Sequence, residues 1–181
     1  MPFALAAVLV CILAVRIGFT TADNRRLRAR VAGSAEEFHH FCTHDPLTDL
    51  PGRALALSTI DERADDRPQA VILIDLDHFG VVNETVGHAW GDAMLVTVAG
   101  RIQQALTERD TLARIAGDEF AVIAPGVDEA TAATLAERIR RQLGLPVPLS
   151  GIDVVPTATI GIAVGRPDTS GSELLQNASP A

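Results

Sequence analysis

A chain of 181 residues, 48% hydrophobic, has room for one domain of ordinary size plus a short appendage, and its only two Cys, Cys11 and Cys42, argue against a disulfide framework. Residues 1 to 31 carry five Arg against one Asp, whereas the remaining 150 carry ten Arg against 22 acidic residues, a formal −12. So acidic a body speaks against nucleic-acid binding, which needs a basic footprint, and with no Lys anywhere it suits a site that holds anionic nucleotides through a divalent cation.

Met1 to Phe19 is apolar apart from Arg16. About 20 apolar residues span a bilayer core, so residues 1–20 read as one transmembrane anchor, with Arg16 near enough to an end to snorkel. A cleaved signal peptide is the competing reading, but neither a basic leader nor a small-residue cleavage site is evident. Four Arg within T-T-A-D-N-R-R-L-R-A-R place that flank in the cytoplasm. Residues 21–44 follow as a linking helix, with Leu27, Val31, Ala35, Phe38 and Cys42 on one stripe. That stripe suits pairing with a second copy or packing on its own domain. His39, His40 and His44 have no Cys or acid at metal-ligand spacing and read as solvent-facing helix residues. Asp45-Pro46 then stops the helix, because the residue before Pro is pushed out of helical geometry.

The globular part, residues 45–181, reads as alternating elements: a helix over 53–66, a strand over 70–77, a helical turn over 79–86 and a longer helix over 88–107. Strands over 111–116 and 119–124 form a hairpin, a helix covers 128–143, and a second hairpin joins 145–149 to 153–164 through Ser150-Gly151. The expected architecture is an α/β (α+β) domain with helices on a sheet that mixes parallel and antiparallel neighbours.

Two acidic stretches carry the chemistry. In R-I-A-G-D-E-F-A-V-I, from Arg114 to Ile123, Gly117 marks a hairpin tip, followed by Asp118 and Glu119. In A-V-I-L-I-D-L-D, from Ala70 to Asp77, the apolar run reads as a strand buried on both faces, with its charges held to the carboxyl end. Asp75 and Asp77 share one face of it. Carboxylates from two strand ends can converge on a hard cation such as Mg²⁺, although Asp77 is equally readable as a cap for the next turn. Phe79 and Gly80 begin a helical turn, where backbone N–H groups can hold phosphate. Asn83 and Asp92 taken alone read as helix caps.

A-G-D-E-F resembles G-G-D-E-F, and the resemblance is wider than five residues. D-P-L-T-D-L-P-G-R (Asp45 to Arg53) resembles D-x-L-T-G-L-x-N-R; D-L-D-H-F-G-V-V-N-E-T-V-G-H-A-W-G-D (Asp75 to Asp92) resembles D-x-D-x-F-K-x-x-N-D-x-x-G-H-x-x-G-D; T-I-G-I-A (Thr159 to Ala163) resembles S-I-G-I-A. In this order the motifs are similar to the GGDEF domain, the family of diguanylate cyclases that join two GTP into cyclic di-GMP. The resemblance implies a ferredoxin-like fold akin to nucleotidyl cyclase and polymerase palm domains. It implies Mg²⁺ (or Mn²⁺) on Asp75, the backbone of Leu76, Asp118 and Glu119, with Asp118 or Glu119 assisting deprotonation of the attacking hydroxyl. It assigns guanine to Asn83 and Asp92, the phosphates to Phe79, Gly80 and Gly117, and implies a homodimer at the bacterial inner membrane with its catalytic domain in the cytoplasm.

Departures from the family pattern lead to further expectations. Ala116 replaces the first Gly of the signature, which is expected to strain the turn; Gly80 stands where a Lys is usual; Asp49 and Gly52 replace a Gly and an Asn. The sequence ends at S-E-L-L-Q-N-A-S-P-A, where the family continues into a helix that carries Lys and Arg to the triphosphate. A degenerate, non-catalytic module serving GTP binding or regulatory dimerisation is therefore the alternative to a cyclase. Of an inhibitory R-x-x-D product site only Asp110 is present, with Thr107 at the Arg position; an Arg fork cannot be replaced by a hydroxyl.

Overall fold

Eight residues, Gln69–Leu76, form the central strand β1. Its Val- and Ile-rich run leaves no polar face, so it is stable only between two apolar layers. The computed structural model describes residues 39–62, 68–149, 152–166 and 168–179. Within them lie α1 (Arg53–Glu62), β1, α2 (Phe79–Val86), α3 (His88–Gln104), β2 (Thr111–Ala116), β3 (Glu119–Pro125), α4 (Glu129–Leu143), β4 (Val147–Leu149), β5 (Ile152–Val154), β6 (Ala158–Gly165) and α5 (Gly171–Ala178). The anchor expected over 1–20, the linking helix up to residue 38 and the Ser150-Gly151 turn lie outside the described residues. Among the described residues no helix is long and apolar enough to cross a membrane.

The main sheet has the order β2-β3-β1-β6, and every neighbouring pair is antiparallel. This corrects the expected mixture of parallel and antiparallel neighbours. The crossover through α2 and α3 does return β2 parallel to β1, but one strand position away, and β3 folds back into the gap. The result is the split β-α-β arrangement of ferredoxin-like domains.

Alternation along β1 divides the core into two layers. Ile72, Ile74 and Leu76, with Phe120 and Val122, meet α3 and α4 through residues such as Leu95, Ile102 and Ile139. Val71 and Leu73, with Ala121 and Ile123, meet Ala56 and Ile60 of α1 and Leu174 and Leu175 of α5. Each fully buried Ile or Phe here contributes about 1.5–3 kcal/mol through removal from water.

Three elements differ from expectation. The strand expected over 153–164 is two strands: β5 pairs with β4, and β6 leaves to join β1. Buried Pro156 lies in the break, where it has no N–H to give to a ladder. Helix α3 stops at Gln104 rather than 107, as its last turn tightens into bonds from Ala105 N to Ile102 O (2.8 Å) and Leu106 N to Gln103 O (3.1 Å). Helix α5 has no counterpart in the sequence reading, yet Ser170 and Glu173 form the S-x-x-E start signal, with Glu173 N donating to Ser170 Oγ at 3.2 Å.

Candidate active site

The two acidic stretches meet at one end of the sheet. Asp75 pairs across the ladder with Glu119 on one side and Thr159 on the other, so Asp75 and Glu119 share the α1/α5 face. Asp118 occupies the two-residue loop between Ala116 and Glu119, and Leu76 N donates to its carbonyl at 3.4 Å. Gly117, at φ 46°, takes the left-handed conformation that this loop needs. Ala116 is not among the positive-φ residues and ends β2 exposed to solvent. The expected strain is therefore absent, because only the second position of the signature requires glycine here.

Burial pushes the Asp75 carboxyl above its usual value, and the charges of Asp118 and Asp77 push it further. The Asp77 carboxyl is held low by hydrogen bonds, first from Thr159 and then from Thr157, with Thr159 Oγ1 donating at 2.7 Å. Its role is thus to tie the end of β1 to β6. It does not cap α2, whose preceding residue is His78 with no side-chain cap bond.

The hairpin tip is fastened by a residue that sequence reasoning passed over. Arg114 donates to Gly117 O through Nε (2.9 Å) and Nη2 (2.7 Å), while its Nη1 reaches Asp45 Oδ1 at 2.8 Å. Asp45 also accepts from Thr48 N (2.8 Å) and Oγ1 (2.7 Å). Burial raises the Asp45 carboxyl, but the bonds from Thr48 and Arg114 and the guanidinium charge outweigh that, and the net shift is downward. Sequence signals existed for both: a lone Arg inside an apolar run before a turn, and an Asp followed three residues later by Thr, a local capping pattern. Asp49, where the family has Gly, takes φ 59°; Asp is among the few side chains that tolerate it.

Beside the carboxylates, α2 and α3 form a corner at Gly87, whose φ of 94° also calls for glycine. Phe79 and Gly80 open α2 ahead of its first bonds, those of Val81 N (3.0 Å) and Val82 N (3.3 Å) to His78 O. Asn83 sits mid-helix and Asp92 is the fifth residue of α3, so neither is a cap. Asn83 Oδ1 is buried without a partner, and Asp92 is exposed. On the sheet's α1/α5 face a cleft of about 250 Å³ is lined by Arg53, Leu73, Ile115, Glu119, Leu175 and Gln176. Arg53 thereby joins the site, although its position in the leading motif gave no hint of it.

Among the described residues no three His, Cys, Asp or Glu side chains stand together as a metal cage. The donors are nevertheless hard oxygens, and Asp75, raised first by burial and then by the negative charges of Asp118 and Asp77, carries a strain that a cation would relieve. This fits Mg²⁺, which is commonly held by one or two carboxylates and completed by waters and substrate phosphates. Elsewhere, Asp110 Oδ2 accepts from Thr107 N and Oγ1, each at 2.8 Å, so it closes its own turn. That turn edges a cavity of about 660 Å³.

Fold and site together define a ferredoxin-like α/β domain with an acidic centre at the carboxyl end of its middle strand. The chain belongs to the GGDEF family: the model described as "Diguanylate cyclase, GGDEF domain" matches residues 42–181. It is 35% identical to the bifunctional diguanylate cyclase/cyclic di-GMP phosphodiesterase MucR of Pseudomonas aeruginosa, over 95% of this chain and 27% of that protein. It is 40% identical to the diguanylate cyclase TpbB of the same species, over 76% of this chain and 33% of that one. The chain thus spans a third or less of the length of these relatives. The coiled coil and GGDEF domain of DgcB from Caulobacter crescentus, solved with c-di-GMP, superposes with a TM-score of 0.78 at 28% identity, covering 92% of this chain and 90% of that one. The GGDEF domain of TpbB gives 0.70 at 38%, covering 75% and 83%.

Arg114→Ala should destabilise the chain by roughly 2–3 kcal/mol, since charge-assisted bonds are lost and Asp45 remains part-buried. Urea denaturation checks this, and an unmoved midpoint would refute the fastening role. Because the Asp45 carboxyl is lowered on folding, its contribution is present above the ordinary Asp value of about 3.9 and is lost as pH falls through the lowered folded value. The gap between wild type and variant should therefore narrow over that acid range. Asp75 has the opposite sign: its charged form is penalised in the folded chain, so Asp75→Asn should raise the melting temperature in chelator at pH 7. A lower melting temperature there would count against the charge crowding.

Proposed function

We propose that this chain is the catalytic module of a diguanylate cyclase, condensing two GTP into cyclic di-GMP and pyrophosphate. The observation that carries the reading is Asp75, paired across the ladder with Glu119 and raised by burial and by Asp118 at the same sheet end. Asp75, Glu119, Asp118 and the Leu76 carbonyl would hold Mg²⁺ (or Mn²⁺), which when bound lowers the pKa of a hydroxyl and neutralises charge on the transferring phosphoryl group. Asp118 or Glu119 accepts the proton of the attacking 3′ hydroxyl. The open amides of Phe79 and Gly80, with Gly117 at the loop, orient the phosphates. Arg53, lining the same cleft as Glu119, supplies a cation where Gly80 provides none. Asn83 and Asp92 read guanine, the amide and the carboxylate together answering its O6, N1–H and exocyclic amine.

A two-fold product from one-nucleotide sites calls for a homodimer with facing sites. The apolar residues 1–20 and the Arg-rich flank support a single-pass anchor in the bacterial inner membrane, with the domain in the cytoplasm. Product inhibition through Asp110 is not part of this reading, because Thr107, bonded to Asp110 Oδ2, stands where an Arg fork would be needed.

Incubation of the purified protein with GTP and Mg²⁺ should yield cyclic di-GMP and pyrophosphate by chromatography. Asp118→Asn should reduce turnover at least about 100-fold through lost charge stabilisation, with an unchanged circular dichroism spectrum. Full turnover in the variant would sink the metal assignment, and no product from wild type would favour a non-catalytic module. Calorimetric titration with cyclic di-GMP should show no tight binding that depends on Asp110; binding abolished by Asp110→Ala would prove that part wrong.

A further inference from the structure

Gly91 is a buried residue of α3 with no special backbone angle, so its lack of a side chain must be explained by what lies beside it. A Cβ built on Gly91 would fall on Asn83 Oδ1, and would stand 2.9 Å from Asn83 Cγ and 3.0 Å from Phe79 Cζ. Asn83 Oδ1 is itself buried and without a hydrogen-bond partner. The carboxamide therefore lies in the α2–α3 corner only because α3 is bare at position 91. The bond that Asn83 receives at the corner, from Gly87 N at 3.0 Å, goes to its backbone carbonyl and leaves the side-chain oxygen unheld. Alanine is favoured over glycine within a helix by up to about 1 kcal/mol, so a glycine as the fourth residue of α3 is a cost that the site imposes on the fold.

We propose that Gly91 is a positioning residue for base recognition: the space it leaves seats the Asn83 amide beside the Asp92 carboxylate. The pair then offers amide donor and acceptor atoms next to an acceptor-only carboxylate. The carboxylate demands a base edge with an N–H at its centre, which guanine has and adenine lacks. The volume requirement is the same whichever way the amide is turned. This inference rests on the guanine-reading role proposed above and adds the residue that sets its geometry.

The test uses the full chain and the α,β-methylene analogues of GTP and ATP, which resist cleavage at the reacting bond, with thermal unfolding measured in parallel. In Gly91→Ala the preference for the guanosine over the adenosine analogue, read as a ratio of dissociation constants, should fall roughly tenfold or more, the equivalent of one unmade hydrogen bond to a charged or buried group. A purely structural defect would weaken both analogues alike and leave the ratio unchanged. Gly91→Ala should also lower the melting temperature by several degrees. In the Asn83→Ala background most of that loss should be recovered, because the overlap with the Asn83 carboxamide is gone and only the 3.0 Å approach to Phe79 Cζ remains. Retained selectivity in Gly91→Ala, or a melting-temperature loss that is undiminished in the double variant, overturns the proposal. Wild type that binds neither analogue overturns the guanine-reading function, while loss of the thermal coupling overturns the placement of Asn83.

Discussion

The site depends first on the guanidinium of Arg114. Its planar fork accepts no compromise in direction: two donors converge on the Gly117 carbonyl and a third points to Asp45. A two-residue loop at a sheet end is otherwise free to rock, and rocking would move Asp118 relative to the ladder pair of Asp75 and Glu119. Arg114 also shares a parallel bridge with Gly52, its own amide donating to Pro51 O at 2.8 Å. Side chain and backbone thus bind the signature hairpin to the loop that starts α1. That loop is closed internally by Asp45 N to Leu50 O and Asp49 N to Asp45 O, both 2.8 Å. Arg53 emerges directly from it into the cleft that holds Glu119.

Against this rigid frame the carboxylates are held in an arrangement that the fold alone would not choose. Burial and the charges of Asp118 and Asp77 all weigh against the Asp75 carboxylate, and His78 just beyond it takes a left-handed φ of 58° as the chain turns into α2. Costs of this kind cluster at functional sites because surrounding structure over-determines them. Here the determinants are specific: the ladder bonds of β1 to two neighbours, and the Asp77–Thr159 bond that closes the strand end.

How far the sequence foretold this varied with the range of the interaction. The buried strand β1, the hairpin at Gly117 and the amphipathic α4 were legible because each is encoded by local period and turn chemistry. The convergence of Asp75 with the signature was also legible, since strand-end charges in two apolar runs admit few other placements. The antiparallel sheet was not, because a crossover helix fixes the direction of β2 but says nothing of which strand fills the gap beside β1. The partition of 153–164 turned on Pro156, a local signal outweighed by the apolar pattern around it. Arg114 and Asp45 are 69 residues apart, and only the folded chain reveals that each completes the other. Gly91 was readable as one letter of a motif, but its purpose exists only in the volume between two helices.

The bulge in β2 has a consequence of its own. Between Arg114 and Ala116 the register shifts, so that Ile115 stands as one residue more than β3 can match. Which face a strand residue takes is a matter of parity: odd and even positions cannot be exchanged by degrees, and a slip of one would send Glu119 into the α3/α4 layer and Phe120 out of it. The bulge is where an odd count is absorbed. It lets β2 reach the loop with its own spacing while β3 keeps the parity that sets Glu119 opposite Asp75. The pairing of Asp75 with Glu119 is therefore fixed by counting along β1 and β3 alone, and β2 is released from that arithmetic to place Arg114 where the turn requires it.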